Sequence, residues 1–179
     1  MRAPEVPVHP NYTALTSQWP DAALAQMEQL ETPAAIQTWL SQFAVDEQSW
    51  LRSPLTVMRD RRASVLDGAL WAAAALRRLG HPPLLVVWAA ESELFAAAVF
   101  RDERGWAWIA HHTDSQFRLG DLGLADLAAL TDAMSSRLGG GEVATTAIDL
   151  ADWDARDWMT DDQQLVGLLA ELDDRLSAE

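Results

Sequence analysis

The stretch Arg61 to Gly80, RRASVLDGALWAAAALRRLG, restricts this chain more than any other. Between Ala63 and Leu79 only Ser64, Asp67, Arg77 and Arg78 are polar; the other positions are apolar or Gly68. A surface helix carries a one-sided apolar stripe, whereas a helix apolar nearly all round is buried on most faces. Ala72 to Ala75 raise helix propensity and let neighbouring elements approach closely. Arg77 and Arg78 fall in the last turn, at the negative end of the helix dipole. Gly80 supplies a left-handed cap, and Pro82 and Pro83 prevent continuation. The expected fold is therefore built around a central buried helix.

The flanking sequence supplies the other layers. Residues 1–18, with Pro4, Pro7 and Pro10, lack periodicity and read as an extended arm. Pro20-Asp21 opens a short helix through Gln29. Thr32-Pro33 pairs a capping residue with proline at the first helical position, and Ile36, Trp39, Leu40 and Phe43 follow at helical spacing. Asp46 to Pro54 reads as a connector, and Leu55, Val57 and Met58 lead into the basic cluster Arg59, Arg61, Arg62. After Pro83 the period changes. Leu84–Ala90 and Leu94–Phe100 are short continuous apolar runs, which favours buried strands, and Asp102 to Gly105 reads as a turn into a third strand carrying Trp106 and Trp108. Leu124–Leu138 is an amphipathic helix ended by three glycines, Val143–Ile148 an edge strand, and Leu165–Leu176 a final helix. No repeat or linker divides residues 1–179, so one α+β domain is expected.

Composition narrows the partners. The chain of 179 residues, 49% hydrophobic and 22% charged, is long enough to bury a core. It has no Cys, which removes disulfides, thiolate metal sites and a cysteine nucleophile. The net charge of -14 opposes binding to nucleic acid or anionic membranes and suits a basic protein or peptide. Without a signal-peptide run or a spanning segment, the expected location is the cytoplasm. The nine Trp read first as core fillers.

Four short features then coincide between Arg59 and about Arg118, over about a third of the chain: Val65-Leu66-Asp67-Gly68-Ala69, Gly80-His81-Pro82-Pro83, Ala98-Val99-Phe100-Arg101, and Trp106 with Ile109. In this order they resemble a branch of the bacterial transglutaminase-like superfamily, in which a Cys-Leu-Glu-Gly-Ala motif opens an Ala-rich helix. The resemblance implies a papain/transglutaminase-like α+β architecture: a central helix on an antiparallel sheet of three to five strands, with flanking helices. It also implies that the chemistry is lost. The nucleophile's place at the helix N-terminus is Val65, and the base's place aligns with Phe95; neither can do that work. The third position falls within His111-His112-Thr113-Asp114.

Other residues offer substitutes. A relocated hydrolase site would use Ser64, His112 and Asp114, but Ser64 equally fits a helix-capping hydroxyl. His81, at the far end of the helix, is roughly 25 Å from Ser64 at 1.5 Å per residue. Adjacent strand residues face opposite sides, so His111 and His112 do not converge on one ion, and no metal or cofactor is expected. Residues 142–179 carry a net charge of -9, and DLADWDARDWMTDD interleaves acids with tryptophans. That segment reads either as a solvated acidic surface, with Thr160 or Asp161 capping the last helix, or as a docking patch for a basic partner through Trp153, Asp154, Asp157 and Trp158. Three functions stay open: a non-catalytic binding domain, a hydrolase or amidase with a relocated site, and a structural homodimer closed by exposed tryptophans.

Overall fold

The computed structural model describes residues 11–47, 51–90, 93–118, 123–139 and 142–178. Among the described residues four helices precede the central one: α1 (Tyr12–Leu15), α2 (Asp21–Glu28), α3 (Pro33–Leu40) and α4 (Pro54–Asp60). The central helix is α5 (Val65–Arg78), followed by strands β1 (Leu84–Ala90), β2 (Glu93–Asp102) and β3 (Gly105–Ile109). Helix α6 (Leu127–Arg137), strand β4 (Val143–Asp149) and helix α7 (Leu165–Ser177) complete the order, with tight 3-10 turns at Ser115–Phe117, Leu150–Arg156 and Asp162–Gln164.

The sheet is antiparallel throughout, with strand order β3-β2-β1-β4, so β4 returns beside β1 as an edge strand. This is the α+β arrangement expected, with four strands. Alternation along the strands divides the interior into two layers. Leu85, Val87, Ala96, Ala98, Phe100, Ala107 and Ile109 face α5 and the N-terminal helices. Val86, Trp88, Phe95, Ala97, Val99, Trp108 and Ala110 face the opposite side, where Phe117 and Leu130 and Met134 of α6 cover them. Burial on both faces explains why β1 and β2 read as continuous apolar runs.

Helix α5 is buried from Leu66 through Arg77. Its alanines meet the small Ala96 and Ala98 of β2, which lets helix and sheet backbones lie close together. Gly80 adopts φ 91, and the His81 N–H reaches back to the Leu76 carbonyl at 3.1 Å, closing the helix C-terminus. Among the described residues seven tryptophans are buried; Trp39 stacks on Trp71 of α5 with ring centroids 4.3 Å apart.

Two expectations need correction. The Asp46–Pro54 connector ends in a helix: Ser53 caps α4, accepting from the Thr56 N–H, and Pro54 takes the first helical position. That is the same signal as Thr32-Pro33, on a helix too short to show its period. The N-terminal arm is folded from Asn11 onward. Tyr12, Thr16 and Trp19 are buried, and the Trp19 indole donates to Thr160 Oγ1 at 2.9 Å. Residues 1–10 of the expected arm lie outside the described residues.

Candidate functional site

The start of α5 is where a nucleophile would profit from the helix dipole, and here it is occupied by a structural knot. Ser64 Oγ accepts the Asp67 N–H at 3.1 Å, and Asp67 Oδ2 accepts the Ser64 N–H at 3.0 Å, a reciprocal capping box. The other Asp67 oxygen accepts the Arg52 N–H at 2.9 Å, and the Arg52 guanidinium lies 3.3 Å from Asp67 and 2.9 Å from Asp46. Burial pushes the Asp67 carboxyl up, and the hydrogen bonds from Arg52 and Ser64 oppose that rise. Across the same turn the Asp46 N–H donates to the Ala63 carbonyl at 2.8 Å. Val65 sits half-buried at the first helical position, packed against the core. Ser64→Ala should therefore act as the loss of a cap, lowering stability by about 1 kcal/mol in a denaturant titration.

The histidine pair divides between the two sides of the sheet. His111 lies on the helix side, 2% exposed, with its Cβ directly above Gly68. Its Nε2 is 3.4 Å from the Ala44 carbonyl, and burial holds the imidazole below its usual pKa. Gln37 fixes the backbone just before it, exchanging hydrogen bonds with both the N–H and the carbonyl of Ala110 at 3.2 and 3.0 Å. His112 points into the other layer, its ring 5.8 Å from that of Phe95 and 4.7 Å from that of Phe117. Its Nδ1 accepts the Asp114 N–H at 3.0 Å, while the Asp114 carboxylate is taken by Gln116. Ser64, His112 and Asp114 are thus not brought together: serine and histidine occupy opposite sides of the sheet, and Asp114 caps a turn. Val65 and Phe95 are likewise separated. Phe95 pairs with Trp88 in the register and faces away from α5, because strand parity gives the helix side to Ala96.

The acidic segment also differs from the docking patch drawn above. Trp153 and Trp158 are 4% and 0% exposed and belong to the core, so they anchor the segment instead of offering it to a partner. Asp154 forms a bidentate pair with the fully buried Arg77, both contacts 2.6 Å, and accepts from Trp158 Nε1 at 3.1 Å and Asn11 Nδ2 at 3.2 Å. Burial alone would raise its carboxyl; the hydrogen bonds from Arg77, Asn11 and Trp158 outweigh that and hold it below the usual range. Asp157 remains exposed, in a left-handed conformation that ends the turn. Asp161 caps the short turn before α7, not α7 itself. The missed signal was Arg77: a charge on an otherwise apolar helix needs a buried partner, and the Asp-Trp segment supplies it.

A cleft of about 400 Å³ opens at the beginning of β2. Leu94, Phe95 and Leu138 give it apolar walls, Glu47 and Glu93 give it acidic ones, and His112 completes it. Leu94 is 44% exposed, one of few large apolar side chains among the described residues so open to solvent. Among the described residues no group of three or more His, Asp or Glu is placed to hold a metal ion, and no helix is long and apolar enough to cross a membrane.

No family model matches the sequence, and no curated protein matches it. Among solved structures the chain is similar to LapG of Legionella pneumophila, with 12% identity and a TM-score of 0.41 over 67% of this chain and 78% of that one. The calcium-bound LapG gives 13% identity and a TM-score of 0.40 over 74% of this chain and 99% of that one. The EGTA-treated form gives 11% and 0.42 over 65% and 75%.

Proposed function

We propose that this protein is a non-catalytic transglutaminase-like domain that binds a basic peptide segment in the cleft beside Leu94. The observation that carries the reading is the cleft itself: exposed Leu94 with Phe95 and Leu138, flanked by Glu47 and Glu93. An apolar side chain entering between two acids is recognised best when cations stand on either side of it, and the net charge of -14 favours the approach of such a partner. The non-catalytic half of the proposal is supported at the helix start, where Ser64 and Asp67 are spent on the cap and on Arg52.

Peptide display against the folded protein tests this reading. The enriched peptides should carry a large apolar residue flanked by Lys or Arg, and binding should weaken as salt screens the acids. Glu93→Lys and Leu94→Asp, both on exposed positions, should each reduce the affinity at least roughly tenfold without unfolding the chain. Enrichment of acidic peptides, or binding indifferent to both substitutions, would contradict the proposal.

A further inference from the structure

A second cavity, of about 280 Å³, lies among the N-terminal helices, at the small end of ligand-sized volumes. Ala23 of α2, Trp39 of α3, and Leu55 and Met58 of α4 give it apolar walls, and Arg59 and Arg61 add charge. None of the described residues that line it is acidic, although the whole chain carries a net charge of -14. The walls are fixed by packing: Ala23, Leu55 and Met58 rest on the core, and Trp39 is held between Trp71 and Phe43 at 4.3 and 4.4 Å.

Arg61 is the unusual member. It closes α4 in a left-handed conformation, φ 52 and ψ 40, where glycine is the usual residue. The neighbouring cations are engaged: Arg59 bonds Asp60 at 2.8 Å, Arg62 lies 3.5 Å from Asp46, and Arg52 spans Asp46 and Asp67. Among the described residues the Arg61 guanidinium has no ion pair or hydrogen bond; it lies over the Phe43 ring, 5.7 Å from its centre. A cation kept at a strained backbone position, beside an apolar hollow and without a carboxylate, points to a ligand rather than to stability. That ligand carries an apolar body and an anionic end. It carries few charges, because Asp21 stands between two further lining residues, Pro20 and Ala22, and Asp60 and Asp162 both act on Arg59. These acids repel a polyanion or an acidic peptide more than a single carboxylate.

We propose that this cavity binds a small apolar monocarboxylate, such as a medium-chain fatty acid, with its carboxylate on Arg61 and its chain against Leu55, Met58 and Trp39. The site shares no lining residue with the cleft at Leu94, and neither proposal depends on the other. The chain has five methionines, so carbon-13 labelling at methionine Cε gives few NMR resonances, and the one lost in Met58→Leu is Met58. That resonance should shift and saturate as octanoate is added. Octanol, which lacks the charge, and octylammonium, which reverses it, should each need at least roughly ten times more ligand. Arg61→Gly suits the left-handed position, so its thermal stability should stay close to that of the wild type while octanoate binding weakens about tenfold. Arg61→Gln should weaken it similarly and separates loss of charge from any change in the backbone. The proposal is overturned by a Met58 resonance unmoved at tens of millimolar octanoate in folded protein. It is equally overturned by equal responses to the three ligands, by undiminished octanoate binding in either Arg61 variant, or by an Asp-Leu-Asp peptide that competes as well as octanoate.

Discussion

Gly68→Ala should cost about 3 kcal/mol of stability, although alanine is the better helix former by about 1 kcal/mol. The added Cβ would stand 2.3 Å from His111 Cβ and 2.9 Å from its Cγ. Those atoms are the root of a buried side chain held in place by Gln37 and the strand end, so neither partner has room to withdraw. At about 2–4 °C per kcal/mol for a chain of this size, thermal unfolding should fall by roughly 6–12 °C. His111→Ala alone should also destabilise, by leaving a cavity. The discriminating result is the pair: Gly68→Ala introduced into His111→Ala should be close to neutral or stabilising. An equal penalty in both backgrounds would show that the contact is not the cause.

Asp154→Ala should be at least as damaging, by about 3–5 kcal/mol, because it takes the carboxylate away from a guanidinium that is itself fully buried. Arg77→Met added to it should recover most of the loss, since the desolvated charge goes as well. Acid titration gives the same interaction an independent signature. The Asp154 carboxyl is held below its usual range in the folded chain, so its contribution is complete above the unfolded value near 4 and disappears as the pH falls through the folded one. The stability gap between the wild type and Asp154→Ala should therefore be constant near neutrality and should close below about pH 4. Asp67 works in the other direction: burial raises its carboxyl, so protonation favours its folded state. A gap between wild type and Asp154→Ala that stayed open into strong acid would contradict the assignment.

The scaffold was legible because strong local signals carried it. The central helix announced itself by its all-round apolarity, the strands by continuous runs, and the caps at Thr32 and Ser64 by residue type. Helix α4 is signalled only by Ser53-Pro54, because a helix of two turns shows too little period to compete with a loop reading. The site was harder to read. Sequence order aligned Phe95 with a catalytic position, but strand parity, fixed only when β2 pairs with β1 and β3, turns it to the far layer. Trp153 and Trp158 looked exposed because their neighbours are acidic; the buried Arg77 that draws Asp154 inward lies far away in the chain. The cleft at Leu94 is assembled from residues of β2, the residue that caps the end of α6 and two connecting segments, and no local motif encodes such a meeting.

The measurement that bears most directly on the central claim is a nitrogen-15 NMR titration of the labelled protein with a peptide of the form Lys-Arg-Leu-Arg-Lys. The amides of Glu47, Glu93, Leu94, Phe95, His112 and Leu138 should move together and saturate, and Leu94→Asp should abolish the response. Perturbations confined to α7, to the Leu150–Arg156 turn or to no defined surface would contradict the placement of the partner in this cleft.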